Sequence, residues 1–144
     1  MSNSARSTVA TVIPSLRYRN APLAIDWLCK AFGFERHAVY EDGEGGIAHA
    51  QLSFGNGMIM LSSVRDDAWG RRIAQPDEIG GRESQCLCLI VADPDGHHAQ
   101  AVAAGAEIID AISDQDYGGR GYAARDPEGH LWWFGSYDPW LASS

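Results

Sequence analysis

The stretch GGIAHA at residues 45–50 returns as GGRGYA at residues 118–123, 73 positions further along the chain. The same spacing joins Asn20 to Asp93, and each of these residues precedes an expected helix. A constant spacing across several elements is typical of an internal duplication. The sequence therefore predicts one structural unit used twice, with His49 and Tyr122 as equivalent positions.

Each half is predicted to fold as a strand, a helix and three further strands. Apolar runs between turn residues predict strands at 11–18, 36–40, 47–54 and 58–62 in the first half, and at 86–92, 107–112, 121–125 and 131–136 in the second. Helices are expected at 22–32 and 97–104, ended by Gly33 and Gly105. We expect residues 1–144 to form a single domain, with modules at 9–64 and 85–138 and a joining loop, 64–85, lying over the sheet.

The last predicted hairpin carries the sequence DPEGHLW at residues 126–132. In a duplicated chain this turn resembles the vicinal-oxygen-chelate superfamily, which holds glyoxalase I, extradiol dioxygenases, fosfomycin-resistance transferases and bleomycin-resistance proteins. The motifs VIP at 12–14, HA at 49–50 and YGGR at 117–120 resemble its PhnB-like and bleomycin-resistance-like branch. The resemblance implies an α+β fold of two βαβββ modules that form a curved, half-open barrel around a cavity, usually in a homodimer.

The composition excludes several classes of partner. Eleven Lys and Arg against 19 Asp and Glu give a net charge of −8, which would repel a phosphate backbone, so nucleic acid is not an expected partner. No apolar run is long enough for a membrane span. Three cysteines, with Cys86 and Cys88 expected as buried thiols on one face, favour a reducing cytoplasm. The polar residues 1–7 are expected to form a loose tail.

Catalytic members of the resembled family hold a divalent metal with four strand residues. The resemblance places those positions at Ile13, Met60, Cys86 and Trp133. One thiol without a carboxylate or an imidazole does not suit a hard divalent cation. We therefore expect no chelated catalytic metal and no other cofactor.

The histidines have two interpretations each. His97 and His98 are adjacent at a helix start, which is typical of solvated residues. His49 lies in the middle of a strand, where it is either a core residue or a general base. His49 and Tyr122 are the candidate catalytic residues.

Positions that once held ligands keep facing the cavity, because side-chain direction alternates along a strand. Met60 and Trp133 are therefore predicted to line it, together with His49 and Tyr122. Trp133 either stacks on a flat ligand or fills an empty cavity. Trp132 points to the opposite face and is expected in the core.

Two loops complete the predicted site. Tyr117 and Arg120 lie in a glycine-rich loop, where Arg120 either binds an anionic group or pairs with Asp116. Trp69, in the joining loop, is either a lid over the cavity or a contact between subunits.

The favoured function is metal-free binding of an aromatic or drug-like molecule, as in the bleomycin-resistance type. The alternative is an enzyme, either a glyoxalase-like lyase or isomerase or a dioxygenase with a non-standard metal site. The sequence leaves open the ligand, whether the chain is catalytic, and how two subunits would pair.

Overall fold

The computed structural model describes residues 8–141, in which a strand–helix–three-strand unit occurs twice. The predicted tail at residues 1–7 lies outside this range. The first unit contains β1 (Ser15–Tyr18), α1 (Ala21–Phe32), β2 (Glu35–Glu41), β3 (Ile47–Phe54) and β4 (Gly57–Ser63). The second contains β5 (Leu87–Ile90), α2 (Pro94–Ala103), β6 (Glu107–Asp114), β7 (Arg120–Arg125) and β8 (Leu131–Gly135).

Each unit forms its own four-stranded sheet. The strand orders are β1-β4-β3-β2 and β5-β8-β7-β6, so the two sheets have the same topology. The first strand of each unit runs parallel to the last, and the other pairs are antiparallel. The predicted α+β fold of two βαβββ modules is confirmed, and the sheets do not close into a barrel.

The α1 helix agrees with the predicted 22–32 to within one residue, whereas α2 begins at Pro94, three residues before the predicted start at 97, and ends at Ala103. The side chain of Asn20 accepts a hydrogen bond from the backbone N–H of Leu23, and Asp93 does the same for Gly96. These caps satisfy backbone donors that a helix start leaves free. Gly33 ends α1 at a φ of 85°, a left-handed conformation that glycine adopts without steric cost.

The first strand is shorter than predicted. We expected it to span 11–18, but regular pairing covers only Ser15–Tyr18. Pro14 has no backbone N–H, so it cannot donate to a neighbouring strand. Its carbonyl still accepts from the Met60 N–H at 2.9 Å. The chain before Ser15 therefore follows β4 without joining the ladder.

The two halves differ in register by one residue. Trp133 of β8 lies 73 positions after Met60 of β4, but their cross-strand neighbours, Ala123 and Gln51, lie only 72 positions apart. The second hairpin has a turn one residue longer, since Asp126 pairs with His130 across three residues. A shift of one residue moves a strand side chain to the other face of the sheet. The predicted equivalence of His49 and Tyr122 is therefore wrong.

A shared core joins the two units. Phe32 of α1 lies 5.4 Å from the ring of Trp132 and 4.6 Å from that of Phe134, both on β8. The indole N–H of Trp27 donates to the carbonyl of Ala104 at the end of α2, at 2.8 Å. The helix-covered faces of both sheets thus contribute to one apolar cluster.

The joining segment contacts both units. Gln75 donates its side-chain N–H to the carbonyl of Arg17 at 2.9 Å, and His130 donates Nε2–H to the same carbonyl at 2.8 Å. The other ring nitrogen of His130 lies 2.7 Å from the Glu83 carboxyl. The segment is therefore held at the C-terminal end of β1 and against the turn before β8.

Neither helix between residues 8 and 141 has the length and apolar character needed to cross a bilayer.

Candidate functional site

Each sheet has one face covered by helices and one face left open. In β4, Ile59 and Leu61 are buried, whereas Met60 between them is half-buried on the other side. In β8, Trp132 is fully buried, and Trp133 is half-buried on the open side. Strand alternation thus places Met60 and Trp133 on the open faces of the first and second sheets, and Trp132 in the core.

The indole of Trp133 lies across two glycines of the open face. A Cβ added at Gly121 would lie 2.7 Å from Cζ2 of this indole, and one at Gly135 would lie 3.0 Å from Nε1. Side chains at these positions would displace the ring. The indole therefore packs against the backbone of both glycines. Cys88 and Ala123 are the neighbours of Trp133 on the adjacent strands.

The open face of the first sheet is polar. Met60 lies between Ser15 of β1 and Gln51 of β3 in the strand register. The Gln51 side-chain nitrogen lies 3.0 Å from Nε2 of His49, and the ring of Tyr40 stacks near that imidazole. His49 is thus half-buried on the same open face as Met60. It contacts neutral polar and aromatic groups there.

A cleft of about 470 Å³ lies between the two units. The turn and edge of the first sheet contribute Phe54 and Met58, and β5 contributes Leu87 and Leu89. Phe34, just after α1, forms part of its wall. This volume and apolar lining are typical of sites for drug-sized ligands. Neither Met60 nor Trp133 lines the cleft, but Cys88 does, and Cys88 is the register neighbour of Trp133.

Sequence reasoning missed most of this lining. The sequence predicts no site role for Phe34 or Phe54, because their place in the cleft depends on how one unit packs against the other. The alternation of Cys86, just before β5, with Cys88 and Ile90 in β5 is a usable signal, since all three side chains are exposed. The expectation that the two thiols are buried is therefore wrong.

Tyr122 lies on the covered face and not on the ligand face predicted for it. It is fully buried, and its hydroxyl donates to Nδ1 of His97 at 2.6 Å. The Nε2–H of His97 donates to the carbonyl of Phe32 at 2.8 Å. Burial raises the pKa of Tyr122 and lowers the pKa of His97. The one-residue difference in register explains the correction, and His97 is not a solvated residue as expected.

The glycine-rich loop forms different pairs from those predicted. Arg120 contacts Asp95 at 3.1 Å and Asp114 at 3.3 Å, not Asp116. Asp114 is its register partner on β6, and Asp95 lies in the first turn of α2. Tyr117 is exposed and makes an edge contact with Tyr137. The guanidinium of Arg120 is therefore engaged by two carboxylates.

Trp69 is 58% exposed in the joining segment. The Arg72 guanidinium lies 5.7 Å from the centre of its ring, a cation–π contact within the same segment. Trp69 does not line the cleft between the units. Both predicted roles, a lid and a subunit contact, remain compatible with this position.

The donor set does not fit a divalent metal. Ser15 is the strand neighbour of Met60, and Cys88 is the strand neighbour of Trp133. These four positions on the open faces offer only sulfur, hydroxyl and indole groups. Within residues 8–141, no group of three or more His, Cys, Asp or Glu side chains gathers to hold a metal. Hard divalent ions require several oxygen or imidazole donors, which these corners do not offer.

Comparisons with known proteins identify one family. The model of the Glyoxalase/Bleomycin resistance protein/Dioxygenase superfamily matches residues 9–134. An uncharacterized protein of Mycobacterium bovis, Mb0911c, is 31% identical over 122 residues, covering 85% of this chain and 80% of that protein.

Solved structures share the fold. TioX from Micromonospora sp. ML1 has a TM-score of 0.68 and 30% identity, over 88% of this chain and 97% of TioX. The fosfomycin resistance protein FosX from Listeria monocytogenes, solved with Mn(II) and a dihydroxypropylphosphonic acid, has a TM-score of 0.66. Its identity is 13%, over 90% of this chain and 91% of that one.

Proposed function

Because this chain belongs to the glyoxalase/bleomycin resistance protein/dioxygenase superfamily, we propose that it binds a small aromatic or drug-like molecule without a divalent metal. The observation that carries the proposal is the indole of Trp133, which lies over Gly121 and Gly135 on the open face of the second sheet, next to Cys88 of the cleft wall. A half-buried ring held in this way presents one face for stacking at little further entropic cost.

The cleft supports the same proposal. Its volume of about 470 Å³ and its aromatic walls, Phe34 and Phe54, suit a flat ligand held by dispersion and stacking. Met58 adds a flexible side chain that adapts to irregular shapes. A molecule that entered the cleft would reach Cys88 and, next to it, Trp133.

We further propose that two modules act as one domain and that two copies of the chain pair. The open faces that carry Met60 and Trp133 are left uncovered by the described part of the chain. A second copy placed over them would remove the side chains of Met60 and Trp133 from water and enclose the ligand. The free thiols Cys29, Cys86 and Cys88 fit a reducing compartment such as the cytoplasm.

The test is a titration of aromatic antibiotics and metabolites, followed by tryptophan quenching and by thermal shift. Ligand at 100 times its dissociation constant adds about 2.7 kcal/mol of stability, a shift of several degrees. Trp133→Ala should weaken binding, while Trp140→Ala, which changes a 91% exposed tryptophan that does not line the cleft, is the matched control. The absence of any shift and any quenching across the panel would contradict the proposal.

A catalytic alternative rests on one observation, the half-buried His49 beside Gln51 on the open face of the first sheet. The imidazole there could act as a general base in a lyase, isomerase or dioxygenase reaction. FosX, which shares this fold, was solved with Mn(II), so manganese is the metal to test. Near-stoichiometric Mn, Fe, Ni or Zn in protein purified without chelator would favour this alternative over metal-free binding.

A further inference from the structure

Three sulfur-containing side chains from both units border the cleft. Cys88 comes from β5 of the second unit, Cys86 from the residue just before β5, and Met58 from β4 of the first unit. Cleft walls are otherwise built from apolar side chains, backbone and the amides of Asn56 and Gln85. All three sulfur-containing side chains therefore line the same cleft.

The two thiols are positioned to act together. Cys86 and Cys88 are two residues apart along an extended segment, so their side chains point to the same side. Both side chains line the cleft. Both cysteines are free and exposed, so a solute can reach both thiols without unfolding the chain.

The composition of the wall selects the kind of ion. Of the described residues that line this cleft, none is Asp, Glu or His. Hard cations such as Mg²⁺ or Mn²⁺ need oxygen ligands, whereas thiolate and thioether ligands select soft ions, Cu(I) above all. Two thiolates and one thioether match the low coordination number of such an ion.

We propose that Cys86, Cys88 and Met58 form a binding site for one Cu(I) ion. The two thiols lose their protons to the buffer as the ion binds, and the Met58 thioether is the third ligand. The site shares the cleft with the proposed organic ligand, but Trp133 contributes no donor to it, so binding of each can be tested separately. It would make the cleft a copper site even if no aromatic molecule bound there.

The experiment is an anaerobic competition between the purified protein and a coloured Cu(I) chelator. We expect the wild-type chain to withdraw one equivalent of Cu(I). Cys86→Ser and Cys88→Ser should each weaken the affinity by more than the roughly 10–100-fold that loss of an outer-shell partner costs. Met58→Leu keeps the size of the side chain, removes the sulfur, and should weaken affinity by a smaller factor.

Cys29→Ser is the matched control, because it removes the third thiol of the chain at a site outside the cleft. It should retain one equivalent at wild-type affinity. The proposal is overturned if the wild-type chain leaves all Cu(I) with the chelator, or if the double variant of Cys86 and Cys88 binds as the wild type does. Unchanged circular dichroism of each variant shows that a lost affinity is not lost folding.

Binding of the organic ligand is measured separately from binding of Cu(I). Trp133→Ala should abolish quenching by an aromatic compound while leaving one equivalent of Cu(I) bound. Failure of ligand binding with intact copper binding would reject only the proposed function. The opposite result would reject only the copper site.

Discussion

Asp126 is the most connected polar side chain of the core. One carboxylate oxygen accepts from the Tyr18 hydroxyl at 2.6 Å and from the Trp132 indole at 3.1 Å. The other accepts from the backbone N–H groups of Glu128 and His130, both at 3.0 Å. Burial and the nearby carboxylate together hold the pKa of Tyr18 well above its usual range. The residue thus fixes the second hairpin turn and joins it to β1.

Asp126→Ala should destabilise the fold more than Tyr18→Phe does. The first change leaves two buried side-chain donors without a partner, at a cost of about 3 kcal/mol or more. The second removes one donor and leaves Asp126 three others, so about 1–2 kcal/mol is expected. Urea denaturation of both variants measures the difference, and an equal or reversed order would contradict the assigned network.

Substitution of the two neighbouring tryptophans of β8 should reduce the free energy of unfolding by different amounts. Trp132→Ala removes a fully buried ring and should cost about 3–5 kcal/mol in the free energy of unfolding. Trp133→Ala removes a ring from the open face and should cost clearly less. Chemical denaturation of the two variants under identical conditions is the measurement. Equal losses would mean that Trp133 belongs to the core.

At the scale of elements, His97 connects α2 to the end of α1 and to β7. Its Nε2–H satisfies the Phe32 carbonyl, one of the acceptors that a helix end leaves free. Its Nδ1 accepts from Tyr122. The ring lies 4.2 Å from that of Phe134. A neutral imidazole therefore fits this position, and a protonated one would lose the bond from Tyr122.

His97 should make stability fall in mild acid. Burial lowers its pKa in the folded chain, so the unfolded chain binds a proton first. The contribution is complete above the unfolded pKa of about 6.5 and is lost as the pH falls from there towards the folded pKa. Denaturation midpoints at pH 8, 6.5 and 5 measure it.

The control for this pH dependence is the adjacent histidine. His97→Gln should flatten the loss of stability between pH 8 and pH 5, while His98→Gln should keep it. A profile unchanged by His97→Gln would show that another group is responsible.

The sequence predicts elements better than the faces of their side chains. Capping by Asn20 and Asp93, the left-handed end at Gly33 and the hairpin at 54–57 are local features, and their positions follow from local chemistry. The face of Tyr122 depends on a single extra residue in a turn several positions away. Sequence spacing alone made His49 its equivalent in the first half, and only the register of the strands corrects this.

At the scale of the whole molecule, the candidate site was predicted in part. Met60 and Trp133 are on open faces as strand alternation requires. The cleft walls could not be predicted, since Phe34 and Met58 meet β5 only once the units have packed together. Contacts between distant parts of a chain leave no periodic signal in it.

The shared core predicts that the two units unfold together. Phe32 packs on β8 of the other unit, and Trp27 bonds to the end of α2. Circular dichroism and tryptophan fluorescence should therefore give one coincident transition in urea. Two separated transitions would show that each unit is stable alone.

Trp69 offers a way to separate its two proposed roles. If it covers the ligand, Trp69→Ala should weaken ligand binding and leave the molecular mass in solution unchanged. If it joins subunits, the variant should dissociate at concentrations at which the wild type remains paired. Light scattering during gel filtration measures the mass, and ligand titration measures the affinity.

The extra residue in the second hairpin turn has a practical meaning for protein engineers. Anyone who transplants side chains from one half to the other must subtract 72 to go from residues 122–125 of β7 to residues 50–53 of β3, but 73 to go from β8 to β4. A symmetric chimera built with a uniform offset would place the side chains of β3 on the opposite face of the sheet. Its buried alanines would then be exposed, and the imidazole of His49 would be buried.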